Sequence, residues 1–177
     1  MARNSTAIVY DMAEMIIKVV VVMFLVMVFI VRPVNVDGHS MEDTLHDGDR
    51  LAVWSLGYTP QPKDIVIISH GAMLQEPLVK RVIATGGQRI RINYATGEVS
   101  VDGKILDEDY VKGKTIEARN PLPKSDFVIP EDYVFVMGDN REHSTDSRSV
   151  KVGLVPVNNI IGKAVCTIYP FNDFKIL

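Results

Sequence analysis

The chain has 177 residues, 47% of them hydrophobic and 23% charged, with a net charge of −3. That length holds one domain with room for a small insertion. There is no basic surplus to suggest a nucleic-acid partner, no acidic tail, and a single cysteine, Cys166, which excludes an internal disulfide and a cysteine metal cluster.

Apolar residues concentrate near the N-terminus. Met12 to Val31 is about 20 residues, enough at 1.5 Å per residue to cross a hydrocarbon core of about 30 Å. Glu14 and Lys18 interrupt its start, four residues apart in the favourable acid-before-base order. No small-x-small site follows the run, so it reads as an uncleaved anchor (12–31) behind a short tail (1–11), with an extracytoplasmic domain over 32–177. Arg3, Lys18 and Arg32 bias the orientation only slightly, toward a cytoplasmic N-terminus.

Beyond Val36 the pattern is one of short strands and turns. Arg50–Trp54 follows the turn Asp47-Gly48-Asp49, and Asp64–Ile68 reads as a buried strand. Tyr58–Lys63, with two prolines, reads as a loop. Arg89–Tyr94 alternates as a half-exposed strand does. Asp102-Gly103, between alternating runs, predicts a type I′ hairpin. The polar segment 107–126 reads as a connection with no chemistry of its own. Tyr133–Met137 and Ile160–Tyr169 are the remaining strands, the latter expected to bury Cys166 as a core thiol. The expected architecture is a mainly antiparallel β domain on one N-terminal transmembrane helix.

Three clusters carry candidate chemistry: Gly38–Leu45 around Ser40, Val79–Gly87 around Lys80, and the polar run Gly138–Arg148 after a core strand. A serine hydroxyl needs a base. Lys80 and Arg81 are strand neighbours, so one must face the interior, where desolvation lowers a lysine pKa. A lysine in such a strand more often sits on an edge or in solvent, and His143 with Asp139 is a rival base pair of the Ser-His-Asp kind. His39 is adjacent to Ser40 and poorly placed; His46 and His70 read as solvated. A metal site from His39, Asp43, His46, Asp47 and Asp49 matches no standard spacing.

In this order, Ser40-Met41 before Thr44-Leu45, Lys80-Arg81-Val82 leading to Gly86-Gly87, and Gly138-Asp139-Asn140-Arg141 through Ser144, Asp146, Ser147 and Arg148 resemble the type I signal peptidases of the bacterial membrane. The resemblance implies a mainly β catalytic domain, shared with the self-cleaving repressors of the DNA-damage response. It implies Ser40 as nucleophile and neutral Lys80 as general base, with Ser144 orienting the lysine amine and Asp146 and Arg148 bracing that wall. It further implies an N-terminus inside the cell and a catalytic domain outside. The partners would be signal peptides of exported precursors and the lipid bilayer, with cleavage after small-x-small sites and no metal or cofactor. A catalytically silent paralogue would have lost the serine or the lysine, and a self-cleaving regulator would need a DNA-binding domain where this chain has the apolar run.

Two positions depart from the family pattern. Glu42-Asp43 stands where relatives carry a residue and then proline, and these carboxylates are expected to face solvent or the membrane-side surface. Gly38 stands where some relatives carry a serine that helps bind the oxyanion. About nine residues separate Val31 from Ser40, which keeps the serine within roughly 30 Å of the bilayer. Trp54, Leu56 and Tyr58 are candidates for an interfacial edge.

Overall fold

The structure is a computed structural model that describes the backbone of residues 5–29 and 31–177 and the side chains of residues 8–24 and 32–177. It begins with one helix, α1 (Ser5–Phe29), whose described side chains are exposed along its length. The expected anchor, 12–31, extends past those side chains. Among the described residues no helix is long and apolar enough to cross a membrane.

The strands in chain order are β1 (Val31–Asn35), β2 (Arg50–Trp54), β3 (Ile65–Ile68), β4 (Leu78–Thr85), β5 (Arg89–Asn93), β6 (Glu98–Val101), β7 (Lys104–Ile105), β8 (Asp126–Val128), β9 (Tyr133–Met137), β10 (Val155–Pro156), β11 (Ile160–Tyr169) and β12 (Lys175–Ile176). The larger sheet has the order β1-β2-β11-β3-β4-β9-β10, with β12 also paired to β11. The smaller has the order β7-β6-β5-β8. Neighbouring strands are antiparallel, in agreement with the mainly β expectation.

The patterns explain the placements. β3 is apolar at all four positions because Ile65 and Ile67 enter one core cluster while Val66 and Ile68 enter another. β5 alternates because only Ile90 and Ile92 are covered. The hairpin after β6 turns where expected, with φ of 50° at Asp102 and 79° at Gly103. Four strands carried too little pattern to be foreseen: β1 lies in what read as a linker, and β8, β10 and β12 are two or three residues long. The strand Ile160–Tyr169 is therefore not the last. Cys166, expected in the core, is only partly buried, because β11 there lies between β2 and the short β12.

One cluster, with Met41, Leu45, Leu51, Val53 and Ile67, fills the space beneath the Ser40 loop and seats it on the larger sheet. β11 reaches β2 closely at Gly162, where a β-carbon would stand 2.3 Å from the Trp54 carbonyl oxygen. Neither backbone can yield without breaking the ladder. Gly162→Ala is expected to lower the stability of the full chain by roughly 2–3 kcal/mol, read as a drop in Tm; an unchanged Tm would contradict this packing.

Candidate active site

Ser40 lies in a turn between β1 and β2 whose base is closed by main-chain hydrogen bonds between Val36 and Asp49 and between Gly48 and Val36. Gly38 enters this turn at φ +89°, and its N–H donates to Asp47 Oδ1 at 2.7 Å. Lys80 sits in β4, between β3 and β9, and its Nζ is 2.6 Å from Ser40 Oγ and 2.9 Å from the Val79 carbonyl. The two residues are forty apart in sequence. The fold brings them into contact.

Strand alternation requires only one of Lys80 and Arg81 to be interior, yet both are buried, at 3% and 8% exposure. Loops close over this end of β4 and supply polar partners to each. Arg81 makes a two-pronged pair with Asp139, at 2.8 and 2.6 Å, and its guanidinium lies 4.0 Å from the centre of the Tyr110 ring. Thr44 donates to the same Asp139 carboxylate. That carboxylate is thus occupied, and His143 is exposed, so the rival Ser-His-Asp arrangement is not assembled.

Desolvation lowers the Lys80 pKa to about 8, against an upward pull from Asp146 and Asp139, with Arg148 lowering it further. Burial by itself would raise the Asp146 carboxyl. The Arg148 guanidinium, bonded at 2.8 Å to each carboxylate oxygen, and the Gly138 N–H outweigh this and hold Asp146 below its ordinary range. Arg148 also donates to the carbonyls of Arg141 and Ile116.

Of the expected supporting residues, Asp146 and Arg148 therefore form one buried pair. Ser144 departs from expectation. Its Oγ is buried with no hydrogen-bond partner, close to the Asp146 carboxylate but outside bonding geometry, and the expected bond to the Lys80 amine is not made. The amine instead turns to the Val79 carbonyl, an acceptor on its own strand. Gly138 holds this wall tightly against the serine: a β-carbon there would stand 2.3 Å from Ser144 Oγ and 2.4 Å from the Ser40 carbonyl oxygen.

The sequence reading missed the contribution of 107–126. Arg141 is buried against Glu108 and Thr115, Tyr110 stacks on Arg81, and the Lys112 main chain pairs with Asn140. Polar composition hid this, because the partners are buried arginines far away in sequence. Glu42 and Asp43 turn to His39 and Lys112, and Asp43 is 75% exposed. The five-residue metal set is not gathered: His46 and Asp49 instead lie with Asp173, their candidate ligand atoms within 4.8 Å of one another. Trp54 and Leu56 are exposed, whereas Tyr58 is partly buried and bonded to Asp64.

Beside Ser40 and Lys80 runs a cleft of about 310 Å³, bounded by the extended segment 34–38 on one side and by Ile67 and 77–79 on the other.

The Lys80 pKa has a consequence for stability. Between pH of about 8 and 10.5 the unfolded chain holds this proton and the folded one does not, so stability rises with pH across that window. Below it, the buried amine costs about 3 kcal/mol. Lys80→Met, of similar length, is expected to unfold at higher denaturant than wild type at pH 7, with the difference shrinking toward pH 10. Urea titrations of both proteins at the two pH values measure this; a difference independent of pH would contradict it.

Residues 9–169 match the family described as signal peptidase, peptidase S26. The chain is 36% identical to signal peptidase IB of Staphylococcus aureus, with 93% of each chain covered. It is 32% identical to signal peptidase I of Mycobacterium tuberculosis, over 96% of this chain and 74% of that one. A crystal structure of a signal peptidase I from Enterococcus faecalis is 26% identical with a TM-score of 0.46, covering 60% of this chain and 97% of the other. The chain belongs to the signal peptidase family, as a serine endopeptidase of the bacterial type I class.

Proposed function

We propose that the chain removes signal peptides from exported precursors with Ser40 as nucleophile and Lys80 as general base. The observation that carries this reading is the 2.6 Å contact between Lys80 Nζ and Ser40 Oγ, made by an amine whose burial brings its pKa to about 8. Near neutral pH and above, a useful fraction of such an amine is unprotonated and can take the serine proton.

Ser40 Oγ attacks the scissile carbonyl as its proton passes to Lys80. The developing oxyanion is assigned to the Ser40 N–H, which donates to no backbone carbonyl among the described residues. Collapse expels the new N-terminus of the mature protein, which takes its proton from Lys80, and leaves an acyl-enzyme on Ser40. Water, deprotonated by Lys80, then releases the signal peptide. In this reading the Ser144 hydroxyl, which has no hydrogen-bond partner in the resting site, turns to accept from the lysinium that forms.

The substrate lies extended in the cleft between 34–38 and 77–79, where main chain and the side chains of Ile67, Leu78 and Val79 offer narrow, mostly apolar walls. Such walls favour small apolar side chains, as in an Ala-x-Ala site. Residues 12–31 serve as the anchor, with the N-terminus in the cytoplasm and the catalytic domain outside. That role is assigned to α1, whose described side chains are exposed and mostly apolar. Val31 pairs with Trp54, so the exposed Trp54 and Leu56 flank the point where the helix ends and fit a seat in the bilayer interface.

The test is cleavage of a signal-bearing precursor by the detergent-purified full chain. Ser40→Ala and Lys80→Ala are each expected to lose roughly 10³-fold or more in kcat, and His143→Ala to keep most of the activity. The kcat of wild type should rise with pH along an acid limb with its midpoint near the Lys80 pKa of about 8. Full activity in either dyad variant sinks the reading.

A further inference from the structure

Two carboxylates follow the nucleophile where the family pattern has a residue and a proline, and the segment 107–126 supplies their partner. Lys112 Nζ lies 2.7 Å from Asp43 Oδ1 and 3.3 Å from Glu42 Oε2. Its main chain is fixed to the opposite wall of the site. The Lys112 N–H donates to the Asp139 carbonyl at 2.8 Å, and its own carbonyl accepts from the Arg141 N–H at 3.0 Å. Between those two residues, Asn140 donates from its N–H to the Ser40 carbonyl at 3.1 Å and from Nδ2 to the His39 carbonyl at 3.0 Å. One short bridge, 112 against 139–141, thus holds the turn on both sides of Ser40: main chain at the serine itself, and charge two and three residues later.

We propose that Lys112 is a positioning residue for the nucleophile turn, its ammonium clamping Glu42 and Asp43 to the wall that carries Asp139–Arg148. The proposal rests on the Ser40–Lys80 reading above. Within the turn, Met41 and Leu45 are anchored in the core, whereas Glu42 and Asp43 are not part of that cluster. The clamp holds this part of the turn. It acts on geometry and not on the charge of the base. The ionised groups that bear on Lys80 are Asp146, Asp139 and Arg148, while Glu42 and Asp43 are turned away to Lys112 and His39. Exposed ion pairs add little to overall stability, yet a small displacement of a nucleophile is felt strongly in the rate.

The experiment compares cleavage of a precursor bearing an Ala-x-Ala signal by the full chain in detergent. The variants are Lys112→Met, Lys112→Arg, the pair E42Q/D43N, and the triple E42Q/D43N/K112M, with Ser40→Ala and Lys80→Ala as controls. Lys112→Met is expected to lower kcat roughly three- to thirtyfold, the range two exposed pairs can supply, with KM unchanged and Tm within about three degrees of wild type. Lys112→Arg recovers most of the rate. The E42Q/D43N pair loses about as much as Lys112→Met, and the triple variant loses no more, because the same two Lys112 pairs are removed in each case while the E42Q change keeps a side-chain oxygen for His39. Raising salt to 1 M slows wild type toward Lys112→Met and leaves Lys112→Met unchanged. The midpoint of the acid limb stays put in every Lys112 variant.

The proposal is overturned if Lys112→Met stays within twofold of wild type in kcat. It is equally overturned if losses multiply in the triple variant, if the loss tracks a falling Tm, or if the acid limb moves. Inactive dyad controls alongside a fully active Lys112→Met reject the clamp alone, whereas active dyad controls reject the Ser40–Lys80 reading.

Discussion

Lys80 is buried in the middle of a sheet, 2.6 Å from a serine hydroxyl, and much of the surrounding structure follows from keeping that amine dry. Desolvation makes the neutral form accessible, but two buried carboxylates, Asp139 and Asp146, lie near enough to pull the pKa back up. Each is bound to its own arginine: Asp139 to Arg81, Asp146 to Arg148. Arg148 offsets only part of that pull, and desolvation of the amine outweighs the rest, so the carboxylates can organise the loops while the proposed base stays below its ordinary pKa. Buried ion pairs are weak evidence for stability. Here their geometry fixes where the loops lie.

Those loops meet at close quarters. Gly138 lets the wall approach Ser40 and Ser144 at a distance no side chain would permit, and Asn140 then bonds the main chain of the Ser40 turn. Arg141 and Arg148 tie the wall to Glu108, Thr115 and the Ile116 carbonyl, so the connecting segment 107–126 becomes a brace. The serine is therefore held from below by Met41 and Leu45 in the core and from the side by the wall. A scaffold of this kind suits the proposed mechanism, in which one base would serve both acylation and deacylation and would have to meet the same oxygen and then a water in the same place. The family is that of the signal peptidases, whose substrates carry signal peptides, and the cleft beside Ser40 opens along two extended segments that fit a chain of that form.

Much of this was legible in the amino-acid sequence where the signal is local. The alternation in Arg89–Asn93, the apolar run Ile65–Ile68 and the Asp102-Gly103 turn each encode their conformation within a few residues, and the structure has them in place. The motifs around Ser40, Lys80 and Asp139 pointed to the family because they preserve residue identities in order. Two- and three-residue strands such as β8, β10 and β12 have no period to read, and they exist because a neighbouring strand offers its edge.

By itself, then, the sequence determined the strand-and-turn grammar, the helix at the start, and the motifs around Ser40 and Lys80 that place the chain in its family. Tertiary structure decided which groups touch. It buried Arg81 as well as Lys80, occupied Asp139 so that His143 had no partner, left the Ser144 hydroxyl unbonded, and gave Glu42 and Asp43 a lysine from a segment that looked like a plain connection. Such contacts join residues tens of positions apart, and their existence depends on how the sheets pair and on which loops close over the end of β4. No pattern within a single stretch records that closure, because it is a property of the whole folded chain.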